Sequence, residues 1–157
     1  MDNNIFLIIG VVLAFYLRSL RYDYLIDDQL VPKGKGKNVF ITFWLQLSAN
    51  AYSNRIIEHA QRIFVHACVC VMIYMAFGFN EVSIAAALFF AVNPVNINSV
   101  AWLNGVGYCM SGLCAMGMML SRNVLIVSAW FVFSLFWHIT AFPAPLMLIA
   151  SGNPFLA

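Results

Sequence analysis

Asp27 and Asp28 form an adjacent carboxylate pair in a polar stretch that follows the first apolar run of the chain. A carboxylate at a membrane face can act as a general base toward an acceptor hydroxyl. It can also bind a divalent cation that neutralises a phosphate leaving group. The alternative is a solvated turn, because aspartate is favoured at turn positions. Asp27 and Asp28 are therefore candidate catalytic residues, with a divalent cation as a candidate cofactor.

Two histidines and several cations follow the acidic pair. His59 and His66 are seven residues apart, so they lie on one face of a helix. This is not the i, i+4 spacing of a two-histidine metal site, which leaves packed, hydrogen-bonded imidazoles or contacts to a phosphate. A basic patch in the same region suits either a lipid phosphate or ordinary headgroup contact. Its members are Arg55, Arg62, Lys33, Lys35 and Lys37.

A run of amides follows later in the chain, around a proline that is expected to end a helix. The asparagines can bind the hydroxyls of a sugar, or they can cap helix ends. They are Asn93, Asn96, Asn98 and Asn104.

The composition is that of an integral membrane protein. Hydrophobic residues make up 63% of the 157 residues and charged residues only 9%, whereas soluble domains carry about 25% charged residues. The net charge of +2 is small and there is no nucleic-acid-binding motif, so membrane lipids are the expected surroundings. The four cysteines all lie in apolar stretches and are expected to be small buried hydrophobes.

The elements predicted to position these residues are helices, in an all-α membrane protein with one transmembrane domain over residues 1–157. About five transmembrane helices are expected, because each needs ~20 apolar residues, and small residues in the fourth favour close packing. A polar loop with the acidic pair covers 21–38, and an interfacial amphipathic helix covers 39–58. The spans are 4–20, 60–79, 82–93, 105–120 and 123–141.

Three segments resemble polytopic O-mannosyltransferases of the kind that carry TPR repeats. They are 59–67 (HAQRIFVHA), 88–96 (LFFAVNPVN) and 99–105 (SVAWLNG). Asp27 and Asp28 also lie where that family has an acidic pair, after the first span. These enzymes are GT-C-type glycosyltransferases, which take a sugar from a polyprenyl-phosphate donor at the extracytoplasmic face. The resemblance extends from about residue 5 to 150 and is most specific over 88–105.

The resemblance implies a GT-C-like N-terminal module. Asp27 or Asp28 would be the base or the metal-binding acid, and His59, Arg62 and His66 would lie near the donor phosphate. The loop over 93–105 would border the sugar or acceptor. Its candidate residues are Asn93, Asn96, Asn98, Trp102 and Asn104.

The chain also departs from the family. Asn93 stands where the family has histidine before the proline, and Asn98 stands where it has glutamate. The family's remaining spans and TPR segment are missing. Two hypotheses follow: a truncated, mannosyltransferase-like module that uses a polyprenyl-phosphate-linked sugar, or a non-catalytic membrane subunit with a protein partner. The orientation of the chain in the membrane is open as well. The basic residues favour a first loop in the cytoplasm, whereas the resemblance implies that this loop is extracytoplasmic.

Overall fold

The computed structural model describes residues 2–22, 55–101 and 105–137, and every regular element in these ranges is helical. The first helix is followed directly by a 3₁₀ turn, and five further helices complete the described part. The elements are α1 (Asn3–Tyr16), the 3₁₀ turn (Leu17–Arg21), α2 (Arg55–Ala76), α3 (Glu81–Val92), α4 (Val95–Ala101), α5 (Val106–Leu120) and α6 (Val124–Trp137).

The helices alternate in direction around α2. The Tyr74 hydroxyl near the end of α2 donates to the carboxylate of Asp2 at the start of α1, over 2.6 Å, and the 3₁₀ turn packs against α2. The two helices are therefore antiparallel. Tyr22 and Arg55 consequently lie at one end of the bundle, here called the loop end. Asp2 and Tyr74 lie at the opposite, capped end.

The remaining helices complete the bundle around α2, and α3 packs against α1 as well. α3 returns from the capped end, so that the carbonyl of Ala91 reaches the ring of His66. α5 packs against α2 with Gly112 beside Val69, and α6 packs along α5. The main buried core lies where α1, α2 and α3 meet, and it includes Ile8, Val12, Val69, Tyr74, Ala87 and Ala91.

Two continuous helical stretches are long and apolar enough to cross a membrane: Asn3–Arg21 and His59–Ala76. α3 and α4 are separated by a bend of 65° at Asn93 and Pro94. If this bent pair counts as one span, the number of candidate spans is three. α5 and α6 are apolar but shorter than a bilayer crossing requires. The described residues therefore show two to three candidate spans, and the five expected from the sequence are not all shown.

Several predicted boundaries shift in the structure. The second helix starts at Arg55 rather than residue 60 and ends at Ala76 rather than 79. The end of the predicted interfacial helix, 55–58, is thus the first turn of α2, and the rest of it lies outside the described residues. Most of the polar loop over 21–38 also lies outside them, as do residues 138–141 of the last predicted span.

The turn between α2 and α3 is fixed by its own hydrogen bonds. The amide of Phe79 donates to the backbone carbonyl of Tyr74, and the amide of Gly78 donates to the backbone carbonyl of Met75. This pair of bonds is the Schellman motif that ends a helix. Gly78 adopts a φ of +89°, which glycine tolerates without steric cost. Asn80 then caps α3, because its side chain accepts from the Ser83 amide while the Ser83 hydroxyl accepts from the Asn80 amide.

The expected close packing of the small residues in the fourth predicted helix is confirmed. Gly105 lies so near α4 that a Cβ there would sit 2.5 Å from the carbonyl oxygen of Asn98. A Cβ at Gly117 would sit 2.7 Å from a ring carbon of Trp130 on α6. Glycine therefore lets α5 approach α4 at one end and Trp130 of α6 at the other.

We predict that Gly117→Ala lowers the free energy of unfolding by about 1–3 kcal/mol, because the new methyl overlaps the Trp130 ring. Gly112→Ala is the matched control, since its Cβ would meet Val69 at an ordinary 3.8 Å. It should leave stability unchanged or raise it by up to about 1 kcal/mol, as alanine favours the helix. Unfolding of the purified chain in detergent measures both variants. Equal stability of the two would contradict the packing described here.

Candidate functional site

Three ionisable side chains lie buried on one side of α2. His59 and Arg62 are each 1% exposed and His66 is 3% exposed, as their spacing of three and four residues along one helix face allows. Both ring nitrogens of His59 are closed off from solvent. We call this set the α2 stripe. Ionisable groups inside an apolar bundle are expensive and usually functional or paired, so the stripe is the strongest candidate site among the described residues.

The side chain of His66 is buried in the bundle and is surrounded by neighbours from three helices. Its Nε2 lies 3.4 Å from the carbonyl oxygen of Ala91, and the Cys70 sulfur lies 3.8 Å from the same nitrogen. The ring meets Tyr16 edge-on at 5.1 Å between centroids and stacks on Phe90 at 5.5 Å. In the tautomer that carries its proton on Nε2, the ring donates to the carbonyl of Ala91, because a carbonyl oxygen only accepts.

The reason that Ala91 offers a free carbonyl is the break between α3 and α4. Pro94 has no N–H and so cannot bond to Phe90, four residues earlier. The amide of Val95, which would otherwise bond to Ala91, donates instead to the side chain of Asn93 over 3.0 Å. The carbonyl of Phe90 accepts instead from the backbone amide of Asn93 over 3.4 Å, and the carbonyl of Ala91 lies 3.4 Å from Nε2 of His66.

The carbonyl of Phe90 also accepts from a side-chain amide of the predicted sugar-binding loop. The side chain of Asn96 donates to the carbonyl of Phe90 over 2.6 Å, while Asn93 caps the first turn of α4. Asn93 and Asn96 thus bond to backbone groups at helix ends, and sugar binding by the asparagines of this loop stays a prediction. Asn98 is exposed on α4.

The loop end of the α2 stripe lies next to α4 and α5. Arg62 interacts electrostatically with Cys109 near the start of α5, and the Cys109 thiol donates to the carbonyl of Ser99 on α4 over 3.0 Å. Arg62 therefore lies beside the contact between the α4 backbone and α5. The expectation of small buried cysteines is met at Cys70, Cys109 and Cys114, and Cys68 is partly exposed.

Several candidate residues lie outside the described part of the chain. These are the acidic pair Asp27 and Asp28, and the loop residues Trp102 and Asn104. Within residues 2–22, 55–101 and 105–137, no group of three or more His, Cys, Asp or Glu side chains is arranged to hold a metal ion. The divalent cation expected at Asp27 and Asp28 stays a prediction.

One polar cluster at the capped end was missed from the sequence. Asp2 accepts hydrogen bonds from the Tyr74 hydroxyl and from the amide of Asn4, while the Asn4 side chain donates to the Tyr74 hydroxyl. The bond from Tyr74, helped by that from Asn4, holds the pKa of the Asp2 carboxyl below its ordinary value. The signal was an aspartate shortly before an apolar run, separated from it by Asn3 and Asn4, which is typical of a helix N-cap.

Comparisons of this chain with protein-family models, with curated proteins and with solved structures find no match. The resemblance to O-mannosyltransferases stays a prediction from the sequence.

We predict that His66→Leu lowers the free energy of unfolding by about 1–3 kcal/mol, because the carbonyl of Ala91 is left buried without a donor. His66→Gln should lower the free energy of unfolding by less, since the amide nitrogen of glutamine can still donate to this carbonyl. Unfolding of the purified variants in detergent measures the difference. Phe64→Leu, on the exposed side of the same helix, is the control and should match the wild type. A leucine variant as stable as the control would show that the bond adds nothing.

Proposed function

We propose that this chain is a multi-pass membrane protein that binds the phosphate group of a lipid at the loop-end part of the α2 stripe. The observation that carries the proposal is the burial of Arg62 and His59 side by side on an apolar helix. A guanidinium matches the oxygens of a phosphate with two parallel hydrogen bonds, and it binds more strongly where water is excluded. An imidazole beside it adds a further donor.

The stripe divides into two parts with different partners. Nε2 of His66 already contacts the carbonyl of Ala91, so we assign His66 to holding the break between α3 and α4. We assign the phosphate to Arg62 and His59, which are buried one to two turns nearer the loop end. That assignment narrows the role expected for His66 from the sequence to one of positioning.

We further propose that the lipid is a polyprenyl phosphate carrying a sugar, and that the chain is a GT-C-like glycosyltransferase module. Support for this finer claim comes from the three segments that resemble O-mannosyltransferases. It also comes from the topology: Tyr22 and Arg55, which flank the segment with Asp27 and Asp28, lie at the same end of the bundle as Arg62. In this proposal Asp27 or Asp28 is the base toward the acceptor hydroxyl.

Five membrane crossings belong to the same proposal. α5 packs along α2, and α6 packs along α5, so both follow the direction of a helix long enough to cross a bilayer. Their apolar composition suits that position. Mannosyl transfer in particular is supported by the sequence resemblance alone.

A second candidate function is a non-catalytic subunit on the same scaffold. The observation that favours it is the internal use of polar atoms: His66, Asn93 and Asn96 all satisfy backbone groups at the helix break. The exposed apolar face of α6, where Leu125 is 78% exposed, could then pack against a partner chain. The same face suits lipid contact equally well.

The proposal predicts that the chain, purified from native membranes in mild detergent, carries a polyprenyl-phosphate lipid that mass spectrometry detects. Arg62→Gln should lose most of this lipid, because the phosphate loses its strongest partner. Arg62→Lys, which keeps the charge but not the planar fork, should retain an intermediate amount. Arg122→Gln at the capped end is the control and should retain it fully.

The molecule that co-purifies with the chain decides between the two candidate functions. A bound phospholipid without a polyprenyl chain would keep the phosphate site and reject the glycosyltransferase. A stoichiometric protein partner without any phosphate-bearing lipid would reject both and favour the subunit. If the lipid is present, Asp28→Asn tests the chemistry, since it should retain the lipid-linked sugar while turnover is lost.

A further inference from the structure

The 3₁₀ turn that follows α1 brings two arginines together. A 3₁₀ helix has three residues per turn, so side chains at i and i+3 project from the same side, about 6 Å apart along the axis. Arg18 and Arg21 have this spacing in Leu17–Arg21, and both are exposed. Two guanidinium groups side by side, each able to bind a phosphate oxygen, make a paired site for a single phosphate.

The turn is held so that this pair points away from the protein. Ser19, between the two arginines, is 3% exposed and its hydroxyl donates to the carbonyl of Tyr16 over 2.7 Å. The side of the turn that carries Ser19 is therefore buried, and the turn packs against α2. The arginines occupy the other side, where a lipid headgroup has access.

The surroundings of the pair are those of a membrane interface. The stretch Asn3–Arg21 is long and apolar enough to cross a bilayer, so its last turn lies at headgroup depth. Leu17 and Tyr22 beside the arginines are exposed, and tyrosine is enriched at this depth. A lipid that gives its phosphate to the arginines would find apolar surface for its chains directly below, at Phe15.

The charges of the described side chains are also unequal at the two ends. The loop end carries Arg18, Arg21 and the buried Arg62, whereas the capped end carries Asp2 and Glu81 against Arg122. An anionic headgroup is thus favoured at the loop end and opposed at the other.

We propose that Arg18 and Arg21 together bind the phosphate of an anionic membrane phospholipid at the loop end. This site differs from the α2 stripe, because its guanidinium groups are exposed while Arg62 is buried. It binds a lipid of the surrounding leaflet rather than a lipid enclosed between helices. The proposal does not depend on what occupies the stripe.

The test uses the full chain in nanodiscs of equal parts phosphatidylglycerol and phosphatidylcholine, with native mass spectrometry of the lipids that stay bound. The wild type should retain phosphatidylglycerol in preference to phosphatidylcholine. In Arg18→Gln/Arg21→Gln the preference should fall about thirtyfold, as expected when two cations near a membrane surface are removed. Arg122→Gln, an exposed arginine at the capped end, should keep the wild-type preference.

Two further measurements sharpen the result. Arg18→Lys/Arg21→Lys should keep part of the preference, since the charge remains and the bidentate fork is lost. The Arg18→Gln/Arg21→Gln variant should also retain any lipid bound at the stripe, so failure here is distinct from failure of the proposed function. An unchanged preference in Arg18→Gln/Arg21→Gln, or an equal loss in Arg122→Gln, would overturn the proposal. Displacement of phosphatidylglycerol by inorganic phosphate at equal concentration would overturn it too, by showing a site for free phosphate.

Discussion

The structure depends on how the apolar bundle satisfies the backbone groups that Pro94 sets free. Inside an apolar bundle, a buried carbonyl without a donor costs several kcal/mol. The carbonyl of Phe90 accepts from the backbone amide of Asn93 and from the side chain of Asn96, and the carbonyl of Ala91 lies 3.4 Å from Nε2 of His66. Because His66 belongs to α2, which also contacts α1 and α5, this bond ties the broken helix to the centre of the bundle.

The need of buried carbonyls for donors also explains why the polar residues on α2 have different roles. His66 lies level with the last turn of α3 and is enclosed by the rings of Tyr16 and Phe90, so its position is that of a structural donor. Arg62 and His59 lie nearer the loop end, beyond the break. A phosphate ligand there would meet a guanidinium and an imidazole in a site from which water is excluded, where such contacts are strongest. The exposed arginines of the 3₁₀ turn, Arg18 and Arg21, lie apart from this buried pair, at the end of α1.

Much of the helical framework could be predicted from the sequence. The apolar runs indicated α1 and α2, and Pro94 indicated the end of α3. The small residues of α5 indicated close packing, and Gly117 against Trp130 shows it. These features follow from local patterns, in which the residue types and their spacing carry the information.

Other features depend on contacts between residues far apart in the chain. The partner of His66 is a backbone carbonyl 25 residues away, and no side-chain pattern marks a carbonyl that has lost its amide. The sequence consequently left open whether His66 binds a phosphate or packs inside the protein. Residues 55–58 were predicted as the end of an interfacial helix, because they mix charged and apolar residues, and they form the first turn of α2 instead. The candidate span within α2, His59–Ala76, begins one residue before the predicted start at 60.

The most direct test of this account is the protonation of His66, measured by ¹⁵N NMR of the detergent-solubilised chain, with the signal assigned by its loss in His66→Gln. The account predicts that Nε2 of His66 carries a proton, that it shows a hydrogen bond to the Ala91 carbonyl, and that the signal is unchanged when bound lipid is removed. A proton on Nδ1 alone would contradict the bond that holds the break. A signal that shifts on lipid removal would assign His66 to the phosphate and contradict the separation of roles on α2.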